Sequence, residues 1–460
     1  LDIQTHPTAR RGRRAAIARP LARDARRVTD QPPSHRPIRL VTVAPGHFHA
    51  ALVQKRTPPG VHRRAHVYAP LDDDLVAHLA RVAAFNRRPD DPTAWELDVR
   101  TGPDYRERFL REQPGNTVVL SGRNRPKVGL IRDAVAQNFH VIADKPWVVE
   151  AADLPELDAA LADAEAREVL VLDVMTERHE VANRLLRAVT REPEVFGDWL
   201  GGSALALTSR HFLKKTVDGR PLVRPWWWFD PGVAGEGLAD VGTHLTDQAL
   251  WIVSPERPVA AGTEAVVHDA DRWPLALTRA QVAEVTGRPD APPELAPRFV
   301  NDTLYYAGNH TAWLTVRGVH VRLTTCWEYE SPGGDSHEAV ARGTDATVAV
   351  RQAPGSAPEV LVTATAVAHA ELVANLRAAC ARWQADFPGL AVEDRGDEAR
   401  LAIPAALRTG HEDHFAAVMT ELVGYLQAPR TVPEWERVNA RTKYHLTTRA
   451  VELARARRPF

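Results

Sequence analysis

The stretch Val141–Pro146 reads Val-Ile-Ala-Asp-Lys-Pro, an apolar strand that ends at a proline. Proline has no amide hydrogen and cannot continue a central ladder, so the strand must end there and the chain must turn. This places the ammonium group of Lys145 at the carboxyl end of a buried parallel strand, where open α/β sheets bind their ligands. A surface lysine in an ordinary turn gives the same pattern. The role of Lys145 therefore depends on whether other segments of the chain place functional side chains near it.

Short strands alternate with amphipathic helices on both sides of this stretch. The strands Ile38–Val43, Asn116–Leu120 and Val169–Val174 are largely apolar. Such strands are typical of a parallel sheet that is covered by helices on both faces. We therefore predict an α/β fold in which residues 38–180 form a doubly wound, parallel Rossmann sheet that binds a dinucleotide. The charged, proline-rich stretch 85–101 is predicted to be an inserted loop.

The first strand runs into a glycine turn, Ala44-Pro-Gly-His-Phe-His49, and then into a helix. This order is the setting of a dinucleotide fingerprint, in which glycine lets the backbone approach a pyrophosphate. Only one glycine of the G-x-G-x-x-G pattern remains. An acid near the end of the second strand usually holds the ribose hydroxyls of NAD, and Asp72–Asp74 lie slightly beyond that end. The sequence thus predicts NAD as the cofactor, but it does not distinguish NAD from NADP. The candidate cofactor contacts here are Gly46, His47, Phe48 and Tyr68.

Beyond residue 180 the pattern changes to long alternating strands without crossover helices. The segment 304–329 is typical of an open antiparallel sheet. We predict that residues 181–460 form an α+β domain with a large open, mainly antiparallel sheet. Residues 1–37 carry nine arginines against three acidic residues and are predicted to be a basic extension.

Composition excludes several classes of partner and site. The formal net charge of -1 gives no support for a nucleic-acid or anionic-membrane partner. No apolar run approaches the roughly 18 residues that cross a bilayer. The two cysteines, Cys326 and Cys380, are too few and too far apart for a disulfide scaffold or a cysteine zinc site. We expect a cytoplasmic protein.

A second informative stretch begins in the glycine-rich run Gly235-Glu-Gly237 and continues as a helix. Asp240, His244 and Asp247 follow at i, i+4 and i+7, which places the three side chains on one helical face. Titratable groups on one stripe beside glycine-rich backbone are typical of a site. Acidic capping, a buried structural histidine and a divalent metal site remain alternative interpretations of the same pattern.

Together, the two stretches resemble the Gfo/Idh/MocA family, which includes glucose–fructose oxidoreductase and inositol dehydrogenases. That family has Glu-Lys-Pro at the end of a Rossmann strand. About a hundred positions later it has a glycine-rich run, then Asp, three residues, His, two residues and Asp. Here Asp144 replaces the glutamate, and the resemblance is strongest to a divergent subgroup of oxidoreductases. It implies NAD as the cofactor, a homo-oligomer (dimer or tetramer), and catalytic roles for Lys145, Asp240 and His244. It also implies cofactor contacts from Ser121, Arg123, Asn124, Asp144, Lys145 and Pro146.

The resemblance implies oxidation of a secondary alcohol. Nicotinamide would take the hydride, and the protein would supply orientation and a base. His244 would be the base, Asp240 would hold its imidazole, and Lys145 would stabilise negative charge on the oxygen.

Family and aromatic content together favour a carbohydrate, since flat rings can face a sugar while charged groups bind its hydroxyls. The predicted substrate contacts are Glu177, Arg178, His211, Lys214, Arg224, Trp227 and Asp247.

Two alternatives remain. A glycosidase with tightly bound NAD would oxidise a sugar hydroxyl transiently, so that elimination cleaves the glycoside without net redox change. A metal-dependent hydrolase or lyase would use Asp240, His244 and Asp247 as ligands. The leading interpretation, a nicotinamide-dependent oxidoreductase, includes no metal site.

Overall fold

The computed structural model describes residues 37–217, 220–331, 333–353 and 355–458. The predicted basic extension lies outside these ranges except for Pro37. In the described part of the chain, no helix has both the length and the apolar character that a membrane crossing needs.

The first domain is built on a six-stranded parallel sheet in the order β3-β2-β1-β4-β5-β6. The strand order reverses between β1 and β4, so this edge of the sheet is the topological switch point where such folds bind ligands. The predicted doubly wound sheet is confirmed. Its strands are β1 (Leu40–Val43), β2 (Arg64–Ala69), β3 (Glu96–Thr101), β4 (Thr117–Leu120), β5 (His140–Ala143) and β6 (Val171–Asp173). Its helices are α1 (His49–Leu52), α2 (Asp73–Arg87), α3 (Tyr105–Glu112), α4 (Lys127–Ala136) and α5 (Leu154–Ala166).

The inserted loop predicted over residues 85–101 is wrong at both ends, because residues 85–87 continue α2 and Glu96–Thr101 forms β3. This strand lies at the edge of the sheet and its side chains are half-buried or exposed. An edge strand does not need the apolar run that marks a central strand, which is why its sequence resembles a loop.

The second domain contains a ten-stranded sheet in the order β10-β12-β13-β7-β14-β15-β16-β18-β17, with β11 paired to β12. β13 and β7 run parallel and the other neighbours are antiparallel, so the predicted open, mainly antiparallel sheet is confirmed. Its strands are β7 (Ser203–Lys214), β10 (Ala265–Thr278), β11 (Phe299–Val300), β12 (Thr303–Val316), β13 (Val319–Glu330), β14 (Ser336–Arg342), β15 (Ala346–Arg351), β16 (Glu359–Ala364), β17 (Ala391–Asp394) and β18 (Ala399–Ala402); β8 (Thr216–Val217) and β9 (Arg220–Pro221) form a separate pair.

Eight helices accompany these strands in the described residues. They are α6 (Val181–Thr190), α7 (Pro193–Phe196), α8 (Pro231–Ala234), α9 (Val241–Val253), α10 (Arg279–Thr286), α11 (His369–Arg382), α12 (His411–Gln427) and α13 (Glu434–Arg457).

The last two helices connect the two domains. Phe415 and Met419 of α12 pack with Leu40 and Val119 of the parallel sheet in one apolar cluster. Tyr444 of α13 stacks on Trp147, just beyond β5, while α13 also contacts β10 and α9. The carboxyl end of β5 is therefore held against the second domain from the far end of the chain.

Candidate functional site

The two stretches singled out in the sequence meet through an ion pair. Lys145 follows β5 by two residues, and its Nζ atom bonds the Oδ1 atom of Asp240, the residue just before α9. The side chains are 95 positions apart in sequence, and both are buried. Burial acts to lower the pKa of Lys145, but the carboxylates of Asp240 and Asp144 outweigh it and raise that pKa. Lys145 therefore keeps its charge in a buried place.

His244 lies one helical turn beyond Asp240. Its Nδ1 atom is buried and lacks a hydrogen-bond partner among the described residues, as does the Oδ2 atom of Asp240. Burial, and next the ammonium charge of Lys145, hold the pKa of His244 well below its usual 6.5. The imidazole is therefore neutral at physiological pH. The predicted role of Asp240 needs correction, because its bonded oxygen holds the ammonium of Lys145 and not the imidazole.

Asp144 is the centre of a second group of side chains. Its Oδ1 atom accepts the amide of Lys145 at 2.9 Å. Its Oδ2 atom lies 3.1 Å from the hydroxyl of Ser121, 3.1 Å from Nδ1 of His49 and 3.1 Å from Nδ1 of His47. Burial, and next the neighbouring His49, lower the pKa of His47 to about 4. His49 was not among the predicted site residues.

A cavity opens at the switch point between β1 and β4. Its wall includes Asp72, Asp74, Ser121, Arg123 and the backbone of the glycine turn. Asp72 also caps α2 by accepting the amide of Leu75 at 3.1 Å, so this carboxylate both caps a helix and lines the cavity. Burial, and next the charge of Asp72, raise the pKa of Asp74 to about 6.

The glycine turn packs tightly against the loop after β4. A Cβ atom on Gly122 would come within 2.1 Å of the carbonyl oxygen of Ala44, so only glycine fits there. The amides of Gly46 and His47 both donate to the carbonyl oxygen of Ser121, at 3.0 and 3.1 Å. Phosphate contacts must therefore come largely from other groups.

The guanidinium of Arg123 is a cation on that wall. It lies 3.4 Å from Asp74 and faces the ring of Trp226 at 5.4 Å. Carboxylates suited to ribose hydroxyls, and a guanidinium suited to phosphate, fit a dinucleotide at this cavity.

A larger cavity of about 580 Å³ lies beside the first, between the glycine turn, the start of α2 and the segment 222–228. Trp226, Trp228, Arg224 and His47 are on its wall. The rings of His47 and Trp228 stack at 6.2 Å. Arg224 is anchored, because it donates to the carbonyl oxygens of Phe212 and Leu213 at 2.9 and 3.1 Å.

Trp227 was predicted to contact substrate, and the structure corrects this. Its side chain is 1% exposed and its Nε1 atom donates to Asp74 at 3.1 Å. In the short helix Trp226–Phe229 it is the two neighbouring tryptophans that face the cavity. The run of three tryptophans was visible in the sequence, but the side that each one faces was not.

His211 lies in a half-buried polar cluster on β7. Its Nδ1 atom is 2.9 Å from Asp335 and its Nε2 atom is 2.6 Å from the hydroxyl of Ser209. Lys215 also pairs with Asp335, and burial lowers the pKa of His211. No sequence pattern points to Asp335, which follows a glycine turn 124 residues away.

Lys214, the predicted substrate contact next to Lys215, points elsewhere. Its ammonium binds Glu284 and Glu330 at 2.8 and 3.0 Å and is partly exposed. Lys214 is the last residue of β7 and Lys215 lies just beyond it, and the two ammonium groups bind different carboxylates. The prediction that Lys214 contacts the substrate is therefore corrected.

Asp247 and Arg178 form an internal ion network instead of the predicted substrate contacts. Arg178 donates to both carboxylate oxygens of Asp247 at 2.6 Å, and Lys443 of α13 binds the same carboxylate at 3.0 Å. Arg178 also binds Glu436 at 2.5 Å. With Asp247 paired in this way and Asp240 bonded to Lys145, the alternative metal site of Asp240, His244 and Asp247 is wrong.

Four other predicted residues are located as follows. The hydroxyl of Tyr68 donates to Glu112 at 2.7 Å and its side chain is 1% exposed, so it belongs to the core and not to the cofactor cavity. Asn124 binds the carbonyl oxygen of Ala234 at 2.7 Å and Lys127 at 2.8 Å. Pro146 is buried and follows a cis peptide bond, and Glu177 lies in the short helix Thr176–His179.

A family model described as "Putative oxidoreductase C terminal domain" matches residues 185–455. A solved structure described as a putative oxidoreductase from Parabacteroides merdae ATCC 43184 is 36% identical, with a TM-score of 0.89. The match covers 92% of this chain and 98% of that chain. The comparison with curated proteins gave no match.

More distant solved structures share the fold. GenD2 from gentamicin A biosynthesis, in complex with NAD, is 13% identical over 92% of this chain and 95% of its own, with a TM-score of 0.55. KijD10, a 3-ketoreductase from Actinomadura kijaniata in complex with NADP and TDP-benzene, is 14% identical over 88% of this chain and 95% of its own, with a TM-score of 0.53. The family match and the Parabacteroides merdae relative together show that the chain belongs to this oxidoreductase family.

Proposed function

We propose that the protein is a nicotinamide-dependent oxidoreductase of the Gfo/Idh/MocA type that moves a hydride between a secondary hydroxyl of a sugar, polyol or glycoside and NAD. The observation that carries this proposal is the buried ion pair of Lys145 with Asp240, at the carboxyl end of β5 and one helical turn before His244.

Lys145 is suited to bind the reacting hydroxyl. When the proton leaves, negative charge develops on the oxygen, and a fixed ammonium in a water-poor site stabilises that charge. Asp240 fixes the position of the ammonium, so that little reorganisation is needed during the reaction.

His244 is suited to accept the proton. Its imidazole is neutral because burial and Lys145 hold its pKa down, and its Nδ1 atom is not engaged by another described residue. A neutral imidazole with a free nitrogen is the form that a general base requires.

The cofactor site is proposed at the switch point. A bound nicotinamide would supply the hydride acceptor, and Asp72, Asp74 and Arg123 would hold the dinucleotide. Carboxylates at the ribose position favour NAD over NADP, because a 2′-phosphate would be repelled by them. GenD2 and KijD10, which share the fold, were solved with NAD and NADP.

A carbohydrate is proposed as the substrate class. The second cavity offers the rings of Trp226 and Trp228 as flat apolar faces, and the guanidinium of Arg224 lies at its wall. KijD10 is described as a 3-ketoreductase and was solved with TDP-benzene, which supports ketone–hydroxyl chemistry on this fold.

The test is to identify nucleotide in the purified full chain by mass spectrometry, then to follow reduced nicotinamide across a panel of sugars and polyols. We expect bound or added NAD to be reduced by at least one sugar. Cleavage of a glycoside without accumulation of reduced nicotinamide would favour the oxidation–elimination alternative. Failure of the protein to bind either dinucleotide would refute the proposal.

A further inference from the structure

Two histidines and an aspartate bring three potential metal-ligand atoms together beside the glycine turn. One ring nitrogen of His47, one ring nitrogen of His49 and a carboxylate oxygen of Asp144 all lie within 4.8 Å of one another. The aspartate follows β5, and the histidines stand two residues apart in the turn after β1. The sequence predicts no metal site at these three residues.

The two nitrogen-to-oxygen distances in this group match those in a coordination sphere. Metal bonds to imidazole nitrogen or carboxylate oxygen measure about 2.0–2.2 Å, which places neighbouring ligand atoms about 2.9–3.5 Å apart in octahedral or tetrahedral geometry. Both Nδ1 atoms lie 3.1 Å from the same Oδ2 atom of Asp144. The ligand atoms need no large movement to bind one ion.

Hydrogen bonding alone explains this arrangement poorly. The Oδ2 atom has three polar neighbours at 3.1 Å, namely the hydroxyl of Ser121 and the Nδ1 atoms of His47 and His49. A carboxylate oxygen offers about two lone-pair sites. The Nδ1 atom of His47 is buried and makes no hydrogen bond to any described residue. A buried nitrogen without a partner is unfavourable, whereas a metal ion would satisfy it.

The surroundings of the three side chains hold them in place. The other carboxylate oxygen of Asp144 accepts the amide of Lys145 at 2.9 Å, which fixes its orientation. The ring of His49 packs against His411 at 5.3 Å and Phe415 at 5.2 Å. Supporting contacts of this kind are typical of metal ligands.

The local charge is compatible with a cation. Lys145 is nearby, but its charge is balanced by Asp240. The ammonium of Lys127 donates to the carbonyl oxygen of Asp144 at 2.6 Å and to Asn124 at 2.8 Å, on the backbone side of the aspartate. The carboxylate of Asp144 itself has no cation bonded to it among the described residues.

We propose that the protein binds one divalent first-row transition-metal ion, such as Zn²⁺, Mn²⁺ or Fe²⁺, through His47, His49 and Asp144. Two imidazoles and one carboxylate form a donor set that such ions accept with further positions open. His47 is on the wall of the 580 Å³ cavity, so an open position can face a ligand oxygen in that cavity.

The test uses the tag-free full chain, stripped with a chelator and titrated with Zn²⁺ and Co²⁺ by calorimetry and visible absorption. We expect one ion per chain. His47→Gln, His49→Gln and Asp144→Asn should each weaken binding about 100-fold or more, because each removes a direct ligand. His211→Gln is the matched control, since that imidazole is also largely enclosed and bonded to an aspartate. Its affinity should stay within about 3-fold of the wild type.

Thermal unfolding separates lost binding from lost folding. Zn²⁺ should raise the melting temperature of the wild type and of His211→Gln, because a ligand of the folded state stabilises it. The three ligand variants should unfold at a similar temperature to the stripped wild type and should not respond to Zn²⁺. A wild type that binds no stoichiometric metal, or binding retained in all three ligand variants, would overturn the proposal.

Discussion

At the scale of single residues, the candidate site depends on how one ammonium and one imidazole are held. Lys145 is fixed by Asp240, and His244 is kept neutral by burial and by the charge of Lys145. The residue types and spacing were visible in the sequence, but their partners were not. The partner of Asp240 could not be predicted, because the choice between an imidazole and an ammonium depends on side-chain positions that only the packed structure fixes.

The pH profile of the reaction should report the pKa of His244. The base must be neutral, and its pKa lies well below 6.5, so kcat/KM should stay level from about pH 8 to about pH 6.5 and fall only at lower pH. The charged and titratable neighbours that act on it are Lys145, Asp144, His49 and Asp247.

Lys145→Met should move that acid limb to higher pH. Removing the ammonium removes a charge that lowers the pKa of His244, while the effect of burial remains. The measurement is kcat/KM against pH for the residual activity of this variant. An acid limb that stays in place would mean that the base responsible is not close to Lys145.

At the scale of structural elements, the site is made by the ends of β1, β4 and β5 together with the start of α9. Local patterns were sufficient to predict β5 and α9, because a strand that stops at a proline and a one-face Asp-His-Asp helix are short-range signals. Pairings between distant segments were not predictable. Asp335 reaches His211 across 124 residues, and only the sheet register brings them together.

The acids at the start of α2 should set the choice of dinucleotide. Asp72 is on the wall of the switch-point cavity and also caps α2. Asp72→Ser removes the charge but keeps a residue that caps helices well. We expect Asp72→Ser to weaken NAD binding. The ratio of the affinity for NAD to the affinity for NADP should fall about 10-fold, because repulsion of a 2′-phosphate is relieved.

The matched control is Asp73→Ser, because Asp73 is in the same turn but its side chain is 93% exposed. Calorimetric titration with both dinucleotides would measure the change. Equal effects of the two substitutions would contradict the placement of ribose beside Asp72.

At the scale of the whole molecule, the glycine-rich run before α9 is tied to the rest of the second domain by Glu236. Its carboxylate accepts bonds from Arg272 of β10 at 2.6 Å, Arg455 of α13 at 2.7 Å and His310 of β12 at 2.8 Å. Arg455 in turn binds Glu150 of the first domain at 2.6 Å. The position of Asp240 therefore depends on contacts spread over the chain, which no local pattern could predict. The expected homo-oligomer and the cytoplasmic location stay predictions.

Glu236 should contribute stability that disappears in acid. Burial acts to raise its pKa, but His310 and Arg455 outweigh it and lower the pKa from 4.5 to about 2. A carboxylate with a lowered pKa stabilises the fold above its unfolded pKa, and this contribution is lost as the pH falls from 4.5 toward about 2. Glu236→Gln should therefore lower the free energy of unfolding by on the order of 3 kcal/mol at neutral pH and by little near pH 2.

Urea unfolding of the wild type and this variant across pH would measure the difference. Glu328→Gln, a partly exposed glutamate paired with Arg210, is the control and should change the free energy of unfolding by less than about 1 kcal/mol. A Glu236→Gln effect that is constant from neutral pH to acid would show that lost packing, and not charge, is responsible.

The most direct measurement of the central claim is the single-turnover rate of nicotinamide reduction, with the sugar that the panel identifies, in the wild type, Lys145→Met and His244→Gln. We predict that both variants bind NAD within about 3-fold of the wild type but transfer hydride at least about 100-fold more slowly. Lys145→Arg, which keeps the charge, should recover part of the rate. Unchanged rates in the Lys145→Met and His244→Gln variants would contradict the assignment of these two side chains to the reaction.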